Sequence, residues 1–194
     1  MGIFVLFGCS NAAVVAEAPP EIDPVLTPTP TEVVQREDRL SGEGVLFQFA
    51  VSAEASTEFS SPEWSADQTL GEPDSPGCGD YQFAWASAAS DSIDTLVLVY
   101  SALVYPIEIV VYESFNPDQV VKVEVLNPEN GGFYTVMQKN PLQIDRPCPY
   151  ELEIPVEDID FKTNTIRITL DQSQLGLGWN EIDAVEMIGS VNSP

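Results

Sequence analysis

Chemistry in this chain falls to carboxylates, amides and aromatic rings, because its 194 residues include no histidine and 31 acidic residues against only 7 lysines and arginines. Carboxylate pairs such as Glu157-Asp158 and Glu181-Asp183 are the residue types that do acid–base work on a glycosidic bond. In a chain of formal charge −24, though, the expected place for such pairs is the solvated surface. The missing imidazole removes the usual general base near neutral pH and the commonest transition-metal ligand, which argues against a triad hydrolase or a zinc enzyme. Oxygen-ligand cations such as calcium stay compatible with the composition. Neither a glycine-rich phosphate loop nor a cleft-forming helical layer is evident, so no enzyme is expected. The acidic balance repels phosphate backbones and anionic headgroups, which excludes nucleic acid as a partner.

These groups must be positioned by strands. Phe47, Phe49 and Val51 alternate with Gln48, Ala50 and Ser52, and Leu96, Leu98 and Tyr100, then Ile107, Ile109 and Val111, follow the same period-two spacing of a strand. Val121–Val125 and Ile166–Leu170 alternate most cleanly, and Tyr150, Leu152 and Ile154 mark another strand before Pro155. Asn127-Pro128-Glu129-Asn130-Gly131-Gly132 supplies turn residues, so residues 120–126 and 133–138 are predicted to form a hairpin. The best helical candidate is short, Trp64 to Leu70 with Ser65 as its cap. The last run, Gly178 to Gly189, is bounded by glycine and reads as a closing strand that pairs with the domain's first strand. A bulge near Ala184 would keep its apolar residues inward. About eight short strands separated by turns predict an all-β protein, an antiparallel β-sandwich of the jelly-roll kind. At 44% hydrophobic residues, one domain plus a tail is the expected organisation.

The amino end, Met1 to Ser10, runs from a short apolar stretch into Leu6-Phe7-Gly8-Cys9. This resembles the lipobox of bacterial lipoproteins, and the resemblance implies lipidation of Cys9 after removal of residues 1–8. Residues 9–43 are rich in alanine, proline, threonine and glutamate, with Pro19, Pro20, Pro24, Pro28 and Pro30 close together, so helix and central strand are both disfavoured. Such a spacer, extended at about 3.1 Å per residue, spans up to roughly 100 Å. Lipid, spacer, a domain over residues 44–190 and a tail over 191–194 imply an extracytoplasmic membrane lipoprotein at the cell surface, in contact with the membrane through its anchor only. If lipid consumes Cys9, then Cys78 and Cys148 remain as an even pair in an oxidising setting. Both lie in proline- and glycine-rich loops suited to a staple; two separate thiols are the alternative.

Three stretches, Trp64 to Asp74, Val104 to Pro117 and Asn180 to Val185, together resemble the discoidin-type, galactose-binding-domain-like jelly roll. The resemblance spans about Gly44 to Gly189 and implies ligand loops at one end of a sandwich. In carbohydrate-binding members aromatic faces stack on the C–H side of a sugar ring while amides and carboxylates bond its hydroxyls. The corresponding ligand-binding candidates here are Trp64, Tyr81, Trp85, Phe115, Asn116, Trp179 and Asn180, with Asp118 as a polar neighbour. Each tryptophan has packing as an alternative role. The basic and histidine ligand residues common in sugar-binding members are not seen in this sequence. Many members hold a structural calcium ion; the matching positions are Asp67 and Glu181, with Asp74 a lesser candidate. These readings imply a non-catalytic binding module for a glycan or cell-envelope component. The alternative is a protein–protein adaptor in a surface assembly.

Overall fold

The computed structural model describes residues 42–193, together with Gly2 and Leu40. Cys9 and nearly all of the 9–43 spacer therefore lie outside the described residues. The described residues form eight strands: β1 (Val45–Phe49), β2 (Ser52–Ala55), β3 (Ile93–Phe115), β4 (Val120–Leu126), β5 (Phe133–Gln138), β6 (Tyr150–Pro155), β7 (Thr163–Asp171) and β8 (Glu181–Ser190). Every pairing among them is antiparallel. The predicted hairpin is β4–β5, with Asn127 N–H donating to the Gly132 carbonyl across the turn.

β3 organises the sandwich. Its first half pairs with β2 and β7, in a sheet of order β2-β3-β7-β4-β5, and its second half pairs with β8 and β6, in a sheet of order β1-β8-β3-β6. The sequence pattern suggests two strands here, broken before Pro106. The break is instead a change of sheet within one 23-residue strand, with ladder irregularities between Val99 and Val104 and between Pro106 and Glu108. Proline cannot donate to a ladder, so a bulge is where a strand accommodates it. Opposite Pro106 sits Gly189, where an added Cβ would fall 2.7 Å from the Tyr105 carbonyl oxygen and 2.4 Å from Val104 Cγ2. Only glycine lets the two strands approach so closely.

The core lies between the sheets. Leu96, Leu98, Ile166, Ile168, Val123 and Val125 from one sheet face Ile109, Val111, Val185 and Met187 from the other, all fully buried. Tyr100 joins the layers by donating its hydroxyl to the Val185 carbonyl at 3.1 Å. In β8 the ladder runs from Ala184 opposite Tyr112 to Ile182 opposite Glu113, skipping Asp183. This is the expected bulge, and it explains why five consecutive residues, Glu181 to Val185, are all buried.

The strand directions gather four connections at one end: residues 56–92, 116–119, 139–149 and 172–180. The opposite end carries the bend of β3, the β4–β5 turn and residues 156–162. It also carries both ends of the domain, because β1 pairs with β8 from Val45 opposite Ser190, and Val191 N–H donates to the Gly44 carbonyl. The predicted helix is only a 3-10 turn over Ala66–Thr69, and Ser65 does not cap it but donates to the Pro62 carbonyl.

Candidate functional site

The four connections at the loop-bearing end enclose two clefts, with the segment Cys78–Asp80 between them. That segment is fixed by the disulfide between Cys78 and Cys148, whose Cα atoms are 5.9 Å apart and which ties the 56–92 connection to the 139–149 connection. Closing a loop of 70 residues restricts the unfolded chain by about 4 kcal/mol in the chain-entropy account.

The larger cleft, about 520 Å³, is lined by Phe115, Asn116, Asp118, Asp145, Arg146 and Tyr150 among others. Asn116 and Asp118 hold positive φ values of 43° and 78°, which only a tightly determined turn imposes on non-glycine residues. Asn116 Nδ2 donates to the Leu177 and Trp179 carbonyls at 2.7 and 3.0 Å, binding the β3–β4 turn to the β7–β8 connection. Asp118, only 1% exposed, is paired with the Arg146 guanidinium and accepts the Ile144 N–H at 2.8 Å. The larger cleft thus carries its own cation beside its buried carboxylate.

The smaller cleft, about 180 Å³, is lined by Phe59, Trp64, Asp80, Ala86, Trp179 and Glu181. The Phe59 ring lies 5.5 Å from each indole and nearly perpendicular to both, at 71° to Trp64 and 82° to Trp179. Trp179 is anchored through Nε1, which donates to the Ser87 carbonyl. Trp64 sits at φ 54° and is held by backbone bonds to Gln82 and Ala86. Below the rings, Glu181 is 2% exposed and its Oε2 accepts Tyr81 N–H and the Ser114 hydroxyl at 3.0 and 3.2 Å. Burial, with Asp80 beside it, pushes the Glu181 carboxyl up to about 7.

Beneath both clefts runs a buried polar layer. Asn180, fully buried, donates Nδ2 to Glu113 Oε1 and to the Asn116 carbonyl, while Gln119 Nε2 donates to the Asn116 and Gly178 carbonyls. Glu113 Oε2, Asn180 Oδ1 and Gln119 Oε1 are buried without a hydrogen-bond partner among the described residues. Burial pushes the Glu113 carboxyl up to about 7 despite the Asn180 bond. Asp183 accepts Ser75 N–H, and burial raises its carboxyl as well.

The structure thus divides the predicted residues. Trp64 and Trp179 meet in the smaller cleft, and Phe115 and Asn116 line the larger one. Tyr81 lies near the dividing segment, its ring against Gly79, and lines neither cleft. Two assignments need correction. Trp85 is 0% exposed, inside the core, where it bridges to Ile182 and donates Nε1 to the Thr57 carbonyl, so it has no face for a ligand. Asn180 is equally buried and spends its amide on the turn beneath. The pair Glu181 and Asp183, expected at the surface, is buried by the β8 bulge.

The two calcium positions are not brought to one cleft. Asp67 is exposed on the 3-10 turn and does not line the cleft that Glu181 does. Among the described residues no group of three or more His, Cys, Asp or Glu side chains is placed to hold a metal ion. Phe59, Asp80, Arg146 and Tyr150 were missed as site residues. The signal for the last three lay in the expected bridge: joining Cys78 to Cys148 necessarily brings Asp80, Arg146 and Tyr150 to the same place.

An antiparallel sandwich with two clefts at one end has the galactose-binding-like jelly-roll fold. The same fold occurs in chitosan-binding module 1 of a chitosanase/glucanase from Paenibacillus sp. IK-5, with TM-score 0.51 and 12% identity over 71% of this chain and 94% of that one. It occurs also in the family 32 carbohydrate-binding module of C. perfringens NanJ, solved with galactose, with TM-score 0.51 and 12% identity over 74% and 99%. An F5/8 type C domain from Bacteroides fragilis matches with TM-score 0.54 and 10% identity over 74% and 97%. More specifically, the chain belongs to the family of the pappalysin-1 SD scarf domain, C-terminal, whose model matches residues 38–194. No curated protein matches it.

Proposed function

We propose that this chain is a non-catalytic recognition module that binds a glycan or a glycan-bearing cell-envelope component at its loop end. The observation that carries this reading is the aromatic corner of Phe59, Trp64 and Trp179 opening beside carboxylates. Indole faces and polar rims are the two features that sugar rings demand of a site. Two of the structural neighbours are named as a chitosan-binding module and as a carbohydrate-binding module in complex with galactose, which supports the same reading. A binding rather than catalytic role is supported by the absence of histidine from the sequence and by the bonding of Cys78 to Cys148. A lipid on Cys9 and the spacer to residue 43 would display the module outside the cell. Conversion of Cys9 to Ser should then release the protein from the membrane fraction.

The deciding experiment is a glycan array followed by titration of tryptophan fluorescence. Saturable quenching or a blue shift with a hit saccharide, lost in Trp179→Ala, is the expected result. A flat array with unmoved fluorescence would overturn the proposal. A second reading is favoured by Leu142 and Ile144, 67% and 50% exposed in the connection that borders the larger cleft. Under that reading the rim docks a protein, and Leu142→Asp should abolish a cross-link to that partner while leaving saccharide binding absent throughout.

A further inference from the structure

The two clefts differ in where their positive charge comes from. In the larger one the buried Asp118 carboxylate is met by Arg146. In the smaller one two carboxyl groups, Asp80 and Glu181, line the same cleft. Among the described residues no lysine or arginine lines that cleft. Glu181 forms the floor, oriented by the Tyr81 N–H and the Ser114 hydroxyl, and Asp80 is the exposed member.

Carboxylates alone would be an acidic cluster and nothing more. The independent observation is the wall: three aromatic rings, two of them roughly at right angles to the third, close the other sides. Aromatic faces carry negative potential and attract a cation, most strongly where water is displaced. Volume narrows the choice further. At about 180 Å³ the cleft is below the roughly 300 Å³ at which ligand pockets usually begin, so it takes one small group and not an oligosaccharide. A chain of charge −24 also concentrates cations near its surface and repels acidic sugars.

We infer that the pocket formed by Phe59, Trp64, Trp179, Asp80 and Glu181 selects an ammonium group, and that the favoured saccharide is an amino sugar whose amine is free and protonated. This rests on the glycan reading above and names the class of sugar within it. The amine lies against the rings and donates to Asp80, while the rest of the saccharide extends past the Cys78–Asp80 segment. An N-acetylated amine is neutral and cannot supply that charge; a carboxylated sugar is opposed by it.

The test compares a glucosamine trimer, its fully N-acetylated counterpart and tetramethylammonium, each titrated against the tryptophan fluorescence of the wild-type protein and of Asp80→Asn. Asp80 is exposed, so this variant keeps the fold, and an unchanged melting curve verifies it. The expected result is that the free-amine trimer binds roughly tenfold more tightly than the acetylated one, and that Asp80→Asn brings the two within about twofold. Equal binding of both trimers overturns the inference and leaves the glycan reading standing. Tetramethylammonium binding as tightly as the glucosamine trimer supports ammonium selection and removes the glycan reading. Absence of binding by all three overturns both. A preference for the free amine that persists undiminished in Asp80→Asn overturns the assignment to this pocket.

Discussion

The two clefts share one end of one sandwich and are built on different principles. The larger is stapled by a disulfide, crossed by the Asp118–Arg146 pair and framed by a turn whose residues hold positive φ. The smaller is a corner of rings over carboxylates, with no basic side chain in its lining among the described residues. The contrast separates two meanings of a polar cleft. Where the protein supplies both charges, the groups belong to the fold; where it supplies one, the other is assigned to a ligand under the proposal made above. Changes in the larger cleft should therefore cost stability, and changes in the smaller should cost binding.

The largest expected effect tests the first half of that statement. Replacing both Cys78 and Cys148 by Ser should lower stability by about 4 kcal/mol, read from denaturant unfolding under non-reducing conditions. Arg146→Ala should lose about 3 kcal/mol, because it leaves the nearly fully buried Asp118 carboxylate without its partner. A loss below about 1 kcal/mol in either case would place that feature outside the framework of the fold.

The buried layer beneath both clefts gives a pH signature. Glu113 titrates near 7 when folded and near 4.5 when unfolded, so between these values the folded state holds the extra proton. Its contribution is fully present below about pH 4.5 and is lost as pH rises through 7, a fall of about 3 kcal/mol at most. Asp94 acts in the opposite sense. Burial works against its charge, but the hydroxyls of Ser92, Thr57 and Ser56 outweigh it and hold the carboxyl below its usual range, so its contribution is lost in acid. Melting temperature should accordingly peak in mildly acidic buffer, at about pH 5, and decline toward pH 8. Glu113→Gln, which keeps an acceptor for Asn180, should flatten the alkaline side. An unchanged decline would assign it to other groups.

The smaller cleft gives the mirror result. Phe59, 49% exposed, can be cut to Ala with about 1 kcal/mol lost from stability, while saccharide binding weakens roughly tenfold. The smallest effect expected is none: chelator should leave the melting temperature of the protein where it was, since a cation bound only by the native state would have raised it. A drop of several degrees would restore a structural ion to this end of the fold.

Much of the framework was legible because period-two alternation survives wherever one strand face is wet, as in β4, β7 and the β4–β5 hairpin. Continuity was harder to see. β3 contains Pro106, a residue that ordinarily breaks a strand, and the passage between sheets with Gly189 opposite accommodates it. The site was read by residue type, which finds Trp64, Trp179, Phe115 and Asn116 but cannot tell an exposed ring from a buried one. Trp85 and Asn180 show why, since both lie next to loops in sequence and under them in space. Phe59 carried no local signal at all; its role depends on two tryptophans that the chain order keeps far apart.

The shared hydrogen bonds of β1 and β8 bring the polypeptide in and out of the body side by side, on the pole away from both clefts. A module with that geometry can be grafted into a surface turn of a larger host without prising the host apart, or strung as beads in series. In either arrangement the cleft-bearing pole is aimed outward from whatever carries it.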